Sequence, residues 1–353
     1  MDVFACRLIA CAAAGVLDQI FGDPRRGHPV CLVGRLIGWT EKWTRPLFPK
    51  TRGGARAGGV YLVVFVLLAV VSAAAALTVG AYRIHPVCGA AAESLLIYYA
   101  LAEKSLERES YAVYRALHVH GLQEARRAVS MIVGRDTESL DEKGVIRAAV
   151  ETVAENTSDG VIAPLLFAFL GGAPLAWFYK AVNTMDSMVG YRNEVYRDYG
   201  TAAARLDDAA NFIPARLSAV FMLAVLALAR PLWAVKAKWR GRHAGKPRAL
   251  FLEEELQKRS LREIFTVYRK YRRSHASPNS AQTESVMAGA LGVELAGPAS
   301  YFGEIHPKPV IGERTREVER EDILRSMLLL RGTSCLFWVC GVLVTALLWC
   351  FAG

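Results

Sequence analysis

The chain has 353 residues, of which 53% are hydrophobic, and its 43 Lys and Arg against 33 Asp and Glu give a formal net charge of +10. Soluble domains carry a smaller hydrophobic fraction, so this composition favours a membrane protein with large polar loops over a pair of soluble domains. The Lys and Arg clusters are not interleaved with aromatic residues, so we expect no nucleic-acid partner.

Four apolar runs predict membrane helices, and they are 3–21, 59–81, 86–102 and 333–352. The run at 59–81 carries no charge and exceeds the about 20 residues that a crossing requires. No small-residue cleavage site follows the run at 3–21, which therefore predicts an uncleaved helix and not a signal peptide. Glu93, inside the third run, is costly in lipid unless it faces protein or water.

Two further apolar runs, 161–179 and 213–230, leave the number of crossings open. Gly171-Gly172-Ala173-Pro174 interrupts the first run. This break favours two half-helices, as a re-entrant or a buried hairpin, over one straight span. If both runs cross the bilayer, residues 183–211 lie outside the cell. If neither crosses, the region 103–332 is one cytoplasmic part.

The predicted fold class is all-α. We expect a polytopic integral membrane protein in which residues 1–353 form a single domain, with about four membrane helices, broken apolar helices and a large helical part at 103–332. Lys and Arg are in excess at 22–56 and at 236–248, which places these segments on the cytoplasmic side of the cell membrane.

Three local predictions concern the polar part of the chain. A helix is predicted from 253 to 273, and the segment 275–312 is predicted to be rich in loops. Thr157-Ser158-Asp159-Gly160 is predicted to turn into the apolar run that follows, with a hydroxyl or the Asp159 carboxylate capping the next helix.

Glu151 and Glu155 are four residues apart, so on a helix both carboxylates share one face, and Asn156 follows directly. Paired carboxylates of this kind suit a divalent metal ion, or acid–base chemistry if one pKa is raised. The alternative is an ordinary solvated helix end, which spacing alone does not exclude.

A second group of polar residues follows the broken apolar run. Asn183 and Asp186 come after Lys180, and the guanidinium of Arg192 presents a planar fork that suits a phosphate or a carboxylate. The alternative for such arginines is pairing with nearby carboxylates. No G-x-x-x-x-G-K-[ST] or G-x-G-x-x-G motif is present, so no known loop motif indicates how a nucleotide would be held.

Asp207 and Asn211 share a helical face at i, i+4, whereas Asp208 is turned roughly 100° away on a helix. Together with Asp186 and Glu151, these side chains could form an oxygen-rich Mg²⁺ site. A single carboxylate is weak evidence for a metal site. The prediction rests on the number of carboxylates that lie beside one apolar segment.

Several segments, in order along the chain, resemble the CobD/CbiB family, the adenosylcobinamide-phosphate synthases of cobalamin biosynthesis. They are Leu17-Asp18, Gly22-Asp23-Pro24, His28-Pro29, Glu151 to Gly160, Lys180 to Met188, Asp207-Asp208 with Asn211, Pro214-Ala215-Arg216, Ser277 to Ser280 and Met287 to Val293. A set of this length and order is more specific than any one motif. Ala281 departs from the glycine that we expect after Ser-Pro-Asn-Ser, which affects only local loop geometry.

The resemblance implies an integral membrane ligase that joins adenosylcobyric acid to (R)-1-amino-2-propanol or its O-2-phosphate, using ATP and Mg²⁺. As hypotheses, we assign Glu151, Asp186 and Asp207 to catalytic roles, as metal ligands or as acid–base groups. Metal ligands would come from Glu151, Glu155, Asp186, Asp207 and Asp208. Substrate or nucleotide contacts would come from Asn156, Lys180, Asn183, Arg192, Asn211 and Arg216, with Asp23, His28 and Asn279 as further candidates from flanking loops.

Two other functions stay open at this point. A transporter or a membrane corrinoid-binding protein could use the broken apolar run to line a site, as discontinuous helices do in transporters. A structural membrane subunit would use its charged loops only to dock partners, which leaves the density of Asn, Asp and Arg without a role. The family reading is compatible with a homo-oligomer or with association with other membrane enzymes of the pathway.

Overall fold

The computed structural model describes residues 3–24, 27–191, 193–240, 248–301 and 303–352. Its α-helices are α1 Val3–Phe21, α2 Val30–Thr44, α3 Arg52–Ile84, α4 Pro86–Tyr98, α5 Glu103–Val119, α6 Leu122–Ser130, α7 Glu142–Asn156, α8 Ala163–Val189, α9 Thr201–Ala210, α10 Phe212–Arg240, α11 Arg248–Gln257, α12 Leu261–Tyr271, α13 Ser280–Leu291 and α14 Glu321–Ala352. The strands are β1 Leu295–Ala296, β2 Ala299–Tyr301, β3 Glu304–His306 and β4 Val310–Ile311.

Four helical stretches of the described chain are long and apolar enough to cross a membrane: Arg52–Ile84, Glu142–Val189, Phe212–Trp233 and Glu321–Phe351. The predicted all-α polytopic membrane class is therefore confirmed. Two stretches contain the predicted runs 59–81 and 333–352, and the other two contain the runs that sequence left open. The helix predicted at 86–102 ends at Tyr98, and its 13 residues are fewer than the about 20 that a crossing requires.

The chain divides into two compact units, where the sequence indicated one domain. Unit one comprises the described residues of Met1–Lys104, Asp159–Pro214 and Trp338–Gly353, and unit two comprises those of Ser105–Ser158 and Ala215–Phe337. The division follows from burial, because each unit has apolar cores of its own. Periodicity within single segments carries no information on which segments share a core.

The main core of unit one lies between α2, α3, α8 and α9, where Ile37, Leu62, Trp177 and Met185 are buried. Burial of such side chains is the principal stabilising contribution. A smaller core joins α1 and α4 to the middle of α8, at Ala168, Ala173 and Ala176. These contacts fix α8 and α9, which carry five of the polar residues singled out by sequence: Lys180, Asn183, Asp186, Asp207 and Asp208.

Helix α8 is broken, as predicted, at Gly171 and Gly172, whose backbone angles are not helical. Gly172 has φ 66° and ψ −157°, a conformation that is essentially restricted to glycine. Glu93 supports the break: its carboxylate accepts hydrogen bonds from the Ala173 N–H (3.3 Å) and from the Tyr82 hydroxyl (2.7 Å). The carboxylate thus faces protein, as its position in an apolar run requires.

The turn and helix cap predicted at 157–160 are wrong. Thr157–Ile162 form a π-helical turn that continues α7 into α8. The buried Thr157 hydroxyl donates to the Val153 carbonyl oxygen (2.7 Å) one turn earlier, so it serves the helix interior and caps nothing. π-Helical turns inside α-helices often lie at functional sites.

In unit two, the structure differs from two further predictions. The helix expected at 253–273 is interrupted, because Ser260 caps α12 with a reciprocal hydrogen-bonded box to Glu263. The segment expected to be loops at 275–312 contains α13, whose residues from Ala281 to Leu291 are all buried. A helix buried on every side shows no amphipathic period, which explains why the sequence pattern missed it. Two antiparallel pairs follow, β1 with β4 and β2 with β3.

Replacement of Gly172 by Ala tests the break in α8. The Gly172→Ala variant should lower the free energy of unfolding by about 1–3 kcal/mol from backbone strain alone, and the new Cβ would also clash with a carboxylate oxygen of Glu93. Gly38→Ala in α2 is the control, since nothing lies within 4 Å of its added Cβ, and it should be neutral or stabilising. Thermal unfolding in detergent measures both, and equal melting temperatures would contradict the strained break.

Candidate functional site

A buried polar network in unit one joins α8 to α9. The Tyr179 hydroxyl donates to Oδ1 of Asn211 (2.9 Å), and Nδ2 of Asn211 donates to both oxygens of Asp207 (3.4 and 3.3 Å). Nδ2 of Asn183 also donates to Oδ1 of Asp207 (3.4 Å). The i, i+4 pair predicted from sequence therefore exists, and three of the predicted site residues lie in direct contact.

Asp186 lies one turn after Asn183 on α8 and close to the chain reversal at Gly190. A Cβ at Gly190 would overlap the Asp186 carboxylate, so glycine is needed for the carboxylate to lie where it does. The charges of Asp186, Asp159 and Asp207 all act on the Tyr179 hydroxyl. Of these carboxylates, that of Asp207 is hydrogen-bonded to Asn211, the partner of Tyr179. Asp208, the next residue on α9, is half-buried.

The N-terminal candidates form a second group in unit one. Nε2 of His28 lies 3.3 Å from Oδ1 of Asp23, and Nδ1 of His28 accepts from the Val30 N–H (3.1 Å) at the start of α2. Asp18 is buried and accepts from the backbone N–H of Lys104 (3.2 Å). The charges of Asp23 and Asp18 act on the ammonium of Lys180.

In unit two, Glu151 is a fully bonded, buried carboxylate. One oxygen forms a short ion pair with Arg135, and the other accepts from the Ala296 N–H (2.7 Å). Burial opposes the charge of Arg135, but the charge of Glu151 and its hydrogen bond outweigh burial and raise the pKa of Arg135. Because both oxygens of Glu151 are engaged, this bonding favours an ion-pair role over the predicted metal role.

The other candidates in unit two make local contacts. Nδ2 of Asn156 donates to the Thr152 carbonyl oxygen (3.0 Å) within its own helix. The guanidinium of Arg216 donates to Oδ1 of Asn279 (3.3 Å) and approaches the Pro278 carbonyl oxygen (3.5 Å). Arg216 and Asn279, which were predicted separately, are therefore in contact.

Sequence reasoning missed a group around Glu284, a wholly buried residue of α13. Its carboxylate lies 3.6 Å from Nδ1 of His275 and 3.9 Å from Nζ of Lys308. Burial raises the pKa of Glu284 well above its ordinary value and lowers the pKa of His275 to about 4. A signal was available, because Glu284 is the one charged residue in the otherwise neutral sequence 280–291.

Arg192 lies outside the described residues. The predicted metal ligands belong to different units, Glu151 and Glu155 to unit two and Asp186, Asp207 and Asp208 to unit one. In the part of the chain that the structure describes, no three His, Cys, Asp or Glu side chains are grouped to hold a metal ion. The metal assignment therefore stays a prediction.

The Glu151–Arg135 pair generates a stability prediction. Glu151→Gln should lower the free energy of unfolding by roughly 3 kcal/mol, because it leaves a buried guanidinium without its counter-charge. The double variant Glu151→Gln/Arg135→Met should recover a large part of that loss. Glu142→Gln is the control, since its partner Arg320 is more exposed (37%), and it should cost less than about 1 kcal/mol. Unfolding in detergent measures all three, and equal losses for the two single variants would contradict a special contribution of the buried Glu151–Arg135 pair.

Comparisons with known proteins match this chain over nearly its whole length. The model of the family described as CobD/Cbib protein matches residues 11–330. Cobalamin biosynthesis protein CobD of Geobacter metallireducens is 44% identical over 336 residues, 95% of this chain and 96% of the relative. Cobalamin biosynthesis protein CbiB of Salmonella typhimurium is 42% identical over 344 residues, 97% and 96% of the two chains.

Cobalamin biosynthesis protein CobD of Clostridium perfringens is 38% identical over 334 residues, which cover 94% of this chain and 96% of the relative. No solved structure matches the chain. All three relatives are named cobalamin biosynthesis proteins, and each matches nearly the whole of this chain. Because the family model and the relatives both cover nearly its whole length, the chain belongs to the CobD/Cbib protein family.

Proposed function

We propose that the protein acts in cobalamin biosynthesis as an ATP-dependent amide ligase, adenosylcobinamide-phosphate synthase. It would join adenosylcobyric acid to (R)-1-amino-2-propanol or its O-2-phosphate. The observation that carries the proposal is the family match over residues 11–330, to relatives that are named cobalamin biosynthesis proteins. The carboxylates of Asp186 and Asp207 and the amides of Asn183 and Asn211 support it, because they are groups that such chemistry uses.

The proposed reaction needs an activated carboxylate. A carboxylate oxygen of adenosylcobyric acid attacks the γ-phosphorus of ATP, ADP leaves, and an acyl phosphate forms. The amine nitrogen then attacks the acyl carbon, the bond from that carbon to the phosphate oxygen breaks, and inorganic phosphate leaves with the electron pair. The product is the amide. The reaction requires positive charges near the phosphates of ATP. It also requires a base that accepts a proton from the ammonium group of the amine.

The donor set of unit one fits Mg²⁺, which prefers oxygen ligands. Asp207 and Asp186 would hold the ion together with phosphate oxygens, since Mg²⁺ commonly uses only one or two protein carboxylates. Bound there, Mg²⁺ would neutralise charge on the ATP phosphates. Lys180 would approach the same phosphates, and Asn183 and Asn211 would hold the Asp207 carboxylate in place, as their hydrogen bonds to it indicate.

We place the protein in the cell membrane, with lipid as its surroundings and the active site on the cytoplasmic side, where ATP is available. Four helical stretches suited to crossing a membrane support the location. The excess of Lys and Arg at 22–56 supports the orientation.

A second candidate is a membrane corrinoid carrier. The break at Gly171 and Gly172 favours it, because discontinuous helices form substrate sites in transporters. A carrier would bind the corrinoid in a saturable manner without consuming ATP in proportion to any product. The same purified protein therefore distinguishes the two candidates.

The first test is incubation of the purified protein with adenosylcobyric acid, aminopropanol phosphate, ATP and Mg²⁺. We expect a mass corresponding to the amide, one ADP for each amide formed, and no product when any component is omitted or when EDTA removes the metal. Replacing the phosphorylated amine by aminopropanol shows which amine is used. Saturable corrinoid binding with no product would favour the carrier.

Asp207→Asn tests the site in unit one. Loss of the carboxylate charge should lower the rate of amide formation by about 100-fold or more, while the amide side chain keeps the packing. Asp198→Asn is the control, because Asp198 pairs with the exposed Arg56 and such pairs contribute little. Full activity in a folded Asp207→Asn protein would remove Asp207 from the site.

A further inference from the structure

An open cavity of about 390 Å³ lies in unit one, at the connection from α2 to α3. Residues of the segment 45–58 line it, together with Glu194, Val195, Asp198 and Tyr199 from the connection between α8 and α9. Gly59 lets these two segments approach, because an added Cβ there would overlap the Tyr199 carbonyl oxygen. The volume is within the about 300–1,000 Å³ that is usual for small-molecule pockets. No described residue of the candidate site lines this cavity.

Two of the charged residues that line the cavity are already ion-paired. The Arg45 guanidinium lies 2.7 Å from a carboxylate oxygen of Glu41, and it also lies over the ring of Tyr199. The Asp198 carboxylate lies 2.9 Å from the guanidinium of Arg56. Because partners neutralise these two charges, Arg45 and Asp198 hold the cavity wall and add little net charge to it.

The other charged lining residues give the cavity an excess of positive charge. Lys50 and Arg52 are exposed, and neither forms an ion pair with a described residue. Glu194 is the remaining lining carboxylate, and it is likewise exposed and without an ion pair in the described part of the chain. Two cationic groups against one carboxylate favour an anionic ligand, and ammonium and guanidinium groups both suit a phosphate.

An exposed aromatic patch adjoins the cavity, and it consists of Trp39, Trp43, Phe48, Tyr61 and Phe65. The rings of Trp39 and Trp43 stack with centroids 5.9 Å apart, and the ring of Trp43 lies 5.8 Å from that of Tyr61. Trp39, Trp43 and Tyr61 are 56%, 44% and 41% exposed. Trp and Tyr are enriched where a membrane meets water. Phe48 pairs with Tyr61 and also lines the cavity, so the aromatic patch and the cavity are continuous.

The position of the cavity along α3 matches the depth of lipid headgroups. Helix α3 is long and apolar enough to cross a membrane, and its uncharged apolar part begins at Val60. The lining residues of α3 run from Arg52 to Gly58. At about 1.5 Å per residue, they lie roughly 3–12 Å before Val60 along the helix. The headgroup layer on each side of a bilayer is roughly 5–8 Å thick, so these residues lie at the level of the lipid phosphates.

We propose that the cavity binds the headgroup of an anionic phospholipid, with Lys50 and Arg52 contacting its phosphate and the aromatic patch contacting its acyl chains. A free phosphate ion offers the same charge, but it has no apolar part for the patch. The continuity of patch and cavity therefore favours the lipid. Basic pockets beside membrane helices bind anionic headgroups in this way. The inference rests on the membrane placement of α3 and not on the ligase reaction.

Titration of the full chain with a short-chain lipid tests the proposal. The protein, purified in detergent, receives dioctanoyl phosphatidylglycerol, and native mass spectrometry counts the bound lipid. We expect saturable binding, with about tenfold weaker binding of the zwitterionic dioctanoyl phosphatidylcholine. Inorganic phosphate at the same concentration should not displace the lipid. Equal affinity for the two lipids would overturn the proposal, and displacement by phosphate would overturn it by assigning the cavity to a free anion.

Two substitutions at the cavity should change the affinity in opposite directions. Lys50→Ala/Arg52→Ala should lower the affinity for phosphatidylglycerol about 30-fold, since each basic side chain near an anionic surface contributes about fivefold. Glu194→Gln should raise that affinity about fivefold, because it removes the opposing charge. A misfolded protein does not bind more tightly, so the second variant tests the cavity even if the first does not fold. An unchanged affinity in either folded variant would contradict the proposed contacts.

Arg108→Ala/Arg127→Ala is the charge-matched control. These arginines of α5 and α6 are exposed, and each is ion-paired with a glutamate of its own helix. Their replacement removes the same two charges from the protein, so the affinity should stay within about twofold of the unsubstituted value. An equal loss of affinity in this variant would show that net charge, and not the cavity, holds the lipid, and the proposal would fail.

Discussion

A charge buried in an apolar chain must be matched by an opposite charge or by hydrogen-bond donors, and this requirement positions the polar side chains of the protein. In unit two, Asp322 is wholly buried and accepts from Arg316 (2.9 and 2.5 Å) and Arg325 (2.7 Å). In unit one, Glu93 is matched by a tyrosine hydroxyl and by the Ala173 N–H. Each of these contacts fixes one segment of the chain against another. Buried charges therefore position the segments that carry them.

The break in α8 shows how a buried carboxylate also positions residues of the candidate site in unit one. An N–H freed at a helix interruption needs an acceptor, and Glu93 supplies it to the half-helix that begins near Ala173. That half-helix carries Lys180, Asn183 and Asp186 at spacings of three residues, so they follow one another around successive turns. The glycines at the break are therefore as necessary to the arrangement as the polar residues themselves.

Sequence predicted the parts of this arrangement that depend on neighbours along one helix. The Asp207–Asn211 pair and the break at 171–174 are local, and both exist in the structure. Contacts between distant segments were not predictable, because periodicity does not specify which helices meet. The sequence identified Glu151, but its hydrogen-bond partner Ala296 lies 145 residues away along the chain, so the contact was not predictable. Helix α13 was missed because burial on all sides removes the pattern by which helices are recognised.

The carboxylates of Asp207 and Glu284 differ in how the protein holds them. The Asp207 carboxylate accepts hydrogen bonds from the amides of Asn183 and Asn211, which fix its position. Glu284 has no hydrogen-bond donor within reach among the described residues, and His275 and Lys308 approach it at 3.6 and 3.9 Å. Burial without such donors penalises the charged form, and the pKa of Glu284 is for that reason raised well above its ordinary value. The donors around a buried carboxylate, and not its burial alone, therefore decide how firmly the protein holds it.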